Sequence, residues 1–130
     1  LMYYDLRPCT SYNGAFAAYT FDPQPPYYAL YYWAQLAALG RQVKTDVSEP
    51  GVYVCAASDG EKVRVLLVNY NDDKDQCVPK TITVHVSGNS GECLCRITDD
   101  TSLDASESLA IRGGKARLTL PAYSVALLEY

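Results

Sequence analysis

Val52-Tyr53-Val54-Cys55-Ala56-Ala57-Ser58-Asp59-Gly60-Glu61-Lys62-Val63-Arg64-Val65-Leu66-Leu67-Val68-Asn69-Tyr70 decides the fold class. Residues 52–57 and 62–70 are rich in β-branched and aromatic side chains, and Asp59-Gly60 stands between them. An Asp-Gly pair between two such runs marks a hairpin. Lys62 and Arg64 alternate with Val63 and Val65, which reads as a strand with a solvated face and a core face.

The same period of two continues downstream. Residues 71–75 (NDDKD) form a polar loop, 81–86 a strand, and 87–91 (SGNSG) a turn. Residues 92–98 follow, then a loop with Asp99, Asp100 and Asp104, then 108–111. Gly113-Gly114 turns the chain into 116–120, and residues 124–130 complete the series. Short strands at regular spacing with turn residues between them are the pattern of an antiparallel sandwich.

Upstream the pattern changes. Ser11, Asn13, Gly14, Asp22 and Pro23 give residues 9–24 turn chemistry. Pro25-Pro26 then opens a helix over 27–39, since proline fits a first helical turn, and Gly40 closes it. This helix carries no charge, so it is expected to be buried on more than one side against something larger. The fold class is therefore mainly β: an antiparallel β-sandwich of about seven to eight strands with one N-terminal α-helix packed against it. Residues 1–6 (LMYYDL) read as a strand, whereas native termini are usually polar and frayed. The chain is accordingly expected to be the carboxy-terminal piece of a longer polypeptide.

Composition narrows the partners. With 130 residues, 48% of them hydrophobic, one domain with a real core is expected. A net charge of −4 leaves no basic stripe for a phosphate backbone, so nucleic acid is not an expected partner. No apolar run reaches about 18 residues, so no spanning helix and no membrane partner are expected. The single histidine, His85, lies between Val84 and Val86 and is expected to face away from both. Cys9, Cys55, Cys77, Cys93 and Cys95 lack zinc-finger spacing. Buried reduced thiols are the favoured reading, with a structural disulfide or a reactive thiol as alternatives. Cys93 and Cys95, two apart, are expected on one strand face. Asp72, Asp73 and Asp75 lack the glycine and closing glutamate of an EF-hand loop. Neither a metal site nor a cofactor is expected.

Three segments carry a resemblance: Met2-Tyr3-Tyr4-Asp5-Leu6-Arg7-Pro8, Tyr12-Asn13-Gly14-Ala15-Phe16, and Pro26-Tyr27-Tyr28-Ala29-Leu30. Their order resembles the end of the barrel domain in clan A glycoside hydrolases, the group that includes family thirty-nine and xylosidase- or arabinofuranosidase-like enzymes. Residues 52–70, Arg96-Ile97-Thr98-Asp99-Asp100 and 120–130 (LPAYSVALLEY) resemble the carboxy-terminal β-sandwich of those enzymes. Tyr12 stands where their loop usually has tryptophan, and Leu6 where their strand has alanine.

The resemblance implies that residues 1–40 are the remnant of the last β/α unit of a (β/α)8 barrel and 41–130 a C-terminal sandwich. It also implies that Asp5, Arg7, Tyr12 and Asn13 lie beside the substrate in the intact parent, with Tyr12 stacking on a sugar and Asn13 meeting hydroxyls. The paired glutamates of the clan fall outside these 130 residues.

Retaining glycoside hydrolysis needs two carboxyl groups about 5–5.5 Å apart, one with a raised pKa. Asp22, Glu49, Asp99, Asp100, Asp104 and Glu107 read as solvated loop acids, and Asp5 belongs to the barrel remnant, so this chain alone is not expected to be catalytic. The leading expectation is a non-catalytic accessory sandwich supporting the barrel domain of the same polypeptide, with self-association through residues 1–40 when that barrel is missing. The alternatives are a free-standing carbohydrate-binding module contacting an oligo- or polysaccharide, or an interaction sandwich without sugar. The aromatics of the β region, Tyr53, Tyr70, Tyr123 and Tyr130, read as scattered.

Overall fold

Alternation in the sequence separates strands with one buried face from strands with two. The molecule, a computed structural model describing residues 14–86 and 91–130, contains α1 (Pro25–Ala37), β1 (Arg41–Val43), β2 (Val52–Ser58) and β3 (Val63–Asn69). These are followed by β4 (Lys80–His85), β5 (Gly91–Thr98), β6 (Ala105–Ile111), β7 (Lys115–Leu120) and β8 (Ser124–Glu129). Every strand pairing is antiparallel. One sheet runs β1-β2-β3-β8-β5-β6, and a second contains only β4 and β7. This is the expected mainly-β sandwich with one helix.

The result is three layers: helix, six-stranded sheet, two-stranded sheet. β7 (KARLTL) alternates exposed and buried because only one of its faces meets a core. β8 (SVALLE) buries five residues in succession. Val125 and Leu127 pack under the helix with Leu66 and Ala57, while Ala126 and Leu128 pack between the sheets with Val65, Leu67 and Leu120. A near-continuous apolar run is what a strand covered on both faces requires.

The helix begins at Pro25, two residues before the expected start, and ends at Ala37. Its last turn tightens through Leu39 N–H to Leu36 C=O at 3.2 Å and Gly40 N–H to Ala37 C=O at 3.0 Å. Gly40 then takes φ +77°, the left-handed geometry glycine adopts freely. Thirteen residues rich in tyrosine are marginal as an isolated helix, so packing must hold it. Tyr32 and Leu36, one turn apart, are the residues it buries. Trp33 on the other side is 41% exposed. Among the described residues the helix is therefore covered on one side, and the larger body expected against its other side is not one of their elements.

Two turns are as expected and two elements were not. In the β2–β3 hairpin the Asp59 carboxylate accepts the N–H groups of Glu61 and Lys62 at 2.9 and 2.8 Å. Gly113 and Gly114 both have positive φ, as a two-residue hairpin turn demands. A Cβ on Gly114 would stand 2.9 Å from the Val86 carbonyl oxygen. β1 went unread because three residues, Arg-Gln-Val, carry no period; it pairs with β2 through Arg41↔Ser58 and Val43↔Ala56. β6 begins at Ala105, three residues earlier than read, because Ser106 and Glu107 carry no apolar signal.

Candidate functional site

The helix-bearing side of the large sheet is where polar chemistry and exposed aromatic surface meet. Arg64, read as belonging to a solvated face, is a correction: that face lies under α1. Its guanidinium forms an ion pair with Glu129, its Cα partner on β8, and donates to the Gln35 carbonyl at 2.6 Å. A planar fork of donors satisfies a carboxylate and a helix carbonyl at once.

Tyr32 is the second fastener. Its ring is fully buried, and its hydroxyl donates to Asp104 Oδ1 at 2.8 Å and lies 3.2 Å from Thr98 Oγ1. Burial pushes its pKa up, and Asp104 adds to that. Asp104 also sits 3.7 Å from Arg96 and takes φ +52°, a conformation aspartate tolerates.

Two loop acids read as solvated are therefore partly committed to structure. Asp99 is buried, and its Oδ1 accepts from the Thr101 N–H and hydroxyl and the Ser102 N–H at 2.7–2.8 Å. Burial opposes its ionisation, but these donors outweigh it and hold the carboxyl below the usual aspartate range. Asp22, Asp100 and Glu107 are exposed, as read. Glu49 faces Lys80 at 3.8 Å. In the 71–75 loop Asp72 accepts from the Tyr70 hydroxyl at 2.7 Å, and Asp73 accepts from the Asp75 N–H and Gln76 Nε2. These carboxylates shape their own loop. Among the described residues no group of three or more potential metal ligands forms.

The cysteines behave as small hydrophobes. Cys93 and Cys95 share one face of β5 and are buried between the sheets, Cys77 is buried, and Cys55 is half-buried. All four are free thiols. Burial pushes the Cys93 thiol up, and that of Cys95 to about 12. Cys9 lies outside the described residues. His85 is exposed on β4, opposite in orientation to half-buried Val84 and buried Val86, as expected.

Outward from the two fasteners the surface is apolar. Trp33 is flanked on the helix by exposed Ala34 and Ala37, and Tyr19 and Phe21 on the preceding loop are 84% and 64% exposed. Leu94 lies between inward-facing Cys93 and Cys95 and so points to the helix side, beside Tyr31 and Gln35. At one end of β2, β3 and β8 the tyrosines are not scattered, and this too is a correction. Tyr53 is the second residue of β2, Tyr70 follows β3 directly, and Tyr123 precedes β8 directly. The rings of Tyr70 and Tyr123 meet edge to face at 6.1 Å. Linear reading missed the cluster because antiparallel pairing, not sequence distance, joins its members. Tyr130 goes elsewhere, into a cleft of about 630 Å³ between the sheets, whose floor includes Val54, Val63 and Val65 and whose far wall is β4.

Asp5, Arg7, Tyr12 and Asn13, the expected substrate-adjacent residues, lie outside the described residues, as does the strand read at 1–6.

No protein-family model matches the sequence, and neither does any curated protein. Solved structures do match. The chain superposes on a GH30 endoxylanase from Clostridium papyrosolvens C71 with TM-score 0.70 and 19% identity, covering 88% of this chain and 29% of that one. A glycoside hydrolase family 30 subfamily 8 xylanase from Clostridium acetobutylicum gives 0.70 and 18%, over 90% and 30%. A 4-O-α-L-rhamnosyl-β-D-glucuronidase from Fusarium oxysporum 12S gives 0.57 and 21%, over 90% and 31%. The chain thus spans about three-tenths of the length of these glycoside hydrolases, and what it shares with them is a fold.

Proposed function

We propose that these 130 residues form the non-catalytic β-sandwich module of a clan A glycoside hydrolase, with residues 1–40 contributing the last β/α unit of its barrel and the sandwich bracing that barrel from the side. One observation carries this reading: α1 is pinned to the sheet through Tyr32 and Arg64, yet turns Trp33 and exposed alanines outward with no charge along its length. A helix held so firmly on one side and left apolar on the other suits burial between two bodies. The fold likeness to family 30 xylanases over most of this chain supports a clan A glycoside hydrolase as the parent.

Chemistry in the parent would belong to carboxylates on its barrel. Here the acids Asp99, Asp104 and Glu129 are occupied by hydrogen bonds and ion pairs with their own chain. The test is to read the coding sequence that precedes residue 1, express the remaining β/α units it encodes and mix them with this chain, which supplies the last one. A 1:1 complex that Trp33→Asp abolishes is the expected result, with no hydrolysis of aryl xylosides by the 130 residues alone. An upstream sequence without a barrel, or turnover by the isolated chain, overturns the reading.

A further inference from the structure

We propose that the open edge of β4 takes up one further β-strand, supplied by the polypeptide that precedes residue 1 and apolar at alternate positions. The source of the strand rests on the reading above, that the chain is part of a longer glycoside hydrolase; the acceptor edge does not. On one side the two layers of the sandwich meet, where β7 lies beside β6. On the other side β4 pairs only with β7 and borders the cleft of about 630 Å³. Successive residues of β4, from Thr81 to His85, line that cleft, as a strand does when it presents its edge. The Val86 N–H donates to the Gly114 carbonyl at 2.8 Å. Main-chain groups of a strand alternate between its two edges, so those of Ile82 and Val84 also face β7. Those of Thr81, Thr83 and His85 face the cleft, and among the described residues no strand pairs with them.

The floor of the cleft is apolar and incompletely covered. Val54 and Val63 are half-buried, whereas Ala56, Val65 and Leu67 on the same face of β2 and β3 are buried. A strand added to β4 lays every second side chain on that floor and pairs its main chain with the edge. An acyl chain would fill the cleft but leave the N–H and C=O groups of β4 unpaired. Between Lys80 and His85 the edge carries neither proline nor charge, the usual means of blunting an open strand. In a second copy the apolar residues of β1, β4 and β6 (Val43, Ile82, Val84 and Leu109) already pack against their own core, so none is free to cover this floor. Residues 1–13 join the described fold at Gly14. The next residue, Ala15, accepts the Gln24 N–H at the start of α1, which packs on the opposite face of the large sheet. A parent of the length of the glycoside hydrolases on which this chain superposes has ample further polypeptide, since the chain spans about three-tenths of them. Tethering within one polypeptide raises the effective concentration of such a strand to about millimolar.

The test follows amide hydrogen exchange in the whole 130-residue chain, ¹⁵N-labelled and carrying Trp33→Asp. Added in turn are overlapping peptides of about twelve residues from the upstream coding sequence, a reference peptide of alternating valine and threonine, its copy N-methylated at alternate residues, and dodecanoate. Expected is fast exchange at Thr81, Thr83 and His85 in the chain alone, slowed roughly tenfold or more by one upstream peptide and by the reference. The N-methylated copy and dodecanoate should not slow it. Thr83→Pro removes one outward N–H and leaves the β4–β7 ladder its bonds. It should weaken peptide binding roughly tenfold or more while moving the thermal midpoint by less than about 3 °C. Slow exchange at those amides before any peptide is added, slowing by none of the upstream peptides, or undiminished binding to Thr83→Pro overturns the proposal. An upstream sequence without barrel units would sink the parent reading, while the reference peptide still reports on the edge. Barrel units that bind the chain and leave the β4 edge open would sink this proposal alone.

Discussion

The guanidinium of Arg64 in the middle of the sheet donates to the main-chain carbonyl of Gln35 in the last turn of the helix, 2.6 Å away. That bond and the Tyr32 hydroxyl on Asp104 are the polar links between two layers packed mainly by apolar contact, and Glu129 neutralises the charge Arg64 brings under the helix. Arg64→Ala would leave a partly buried carboxylate and a helix carbonyl short of a donor. The expected loss is about 1–3 kcal/mol in urea unfolding. Arg64→Lys should recover less than half, because one ammonium cannot serve both acceptors with the geometry of a fork.

Gly114 and Gly113 form an internal control for the second hairpin. Both have positive φ, but only at Gly114 would a Cβ meet backbone, 2.9 Å from the Val86 oxygen. Gly113→Asn should be nearly neutral, since asparagine tolerates the left-handed region. Gly114→Ala should cost about 1–3 kcal/mol from strain alone, and more from displacing the 2.8 Å bond that Val86 N–H makes to Gly114 C=O. Thermal unfolding of the two variants side by side checks the difference.

Stability should fall on the alkaline side. The folded chain keeps the proton on Cys95 up to about 12, whereas an ordinary thiol loses it near 9.0. Burial moves Tyr32 and Tyr130 in the same direction. Above the unfolded pKa the unfolded state binds fewer protons than the native one, so unfolding is favoured as pH rises. A plateau up to about pH 8.5 and a progressive loss between about 9 and 12 are expected by chemical denaturation. Cys95→Ala should flatten part of that slope.

The same burial makes a labelling pattern. Cys77, Cys93 and Cys95 should resist a thiol reagent in the native state and react fully in denaturant, with Cys55 intermediate. Mass spectrometry of digested, labelled protein reads each site. Rapid native labelling of Cys93 or Cys95 would contradict the packing between the sheets.

Trp33 is the sole tryptophan and reports on the open side of the helix. At low concentration its emission should be that of a half-solvated indole and should shift blue as the chain self-associates. Trp33→Asp should yield a monomer by light scattering, with stability changed by less than about 1 kcal/mol.

Much of this fold is legible in the sequence because its signals are local. Alternating residues at 115–120, the turn pairs Asp59-Gly60 and Gly113-Gly114, and the prolines before the helix each act within a few positions. What escaped is set by partners distant in sequence. Arg64 looks solvated beside Lys62 until a helix about thirty residues earlier lies across it. Asp104 looks like a wet loop acid until Tyr32 reaches it. The tyrosine cluster is visible only after β2, β3 and β8 are laid edge to edge. The lack of charge in α1 points to cover on more than one side, and its composition alone does not say which body supplies the second cover.

The place of β8 has a consequence for how the chain assembles. β1, β2 and β3 form one half of the large sheet, β5 and β6 the other, and β8 alone bridges them. As a ribosome delivers the polypeptide, both half-sheets emerge before the strand that locks them together. The cooperative step therefore waits for residues 124–129, and a nonsense codon shortly before them would release one truncated chain whose two half-sheets are unjoined and have open, sticky borders.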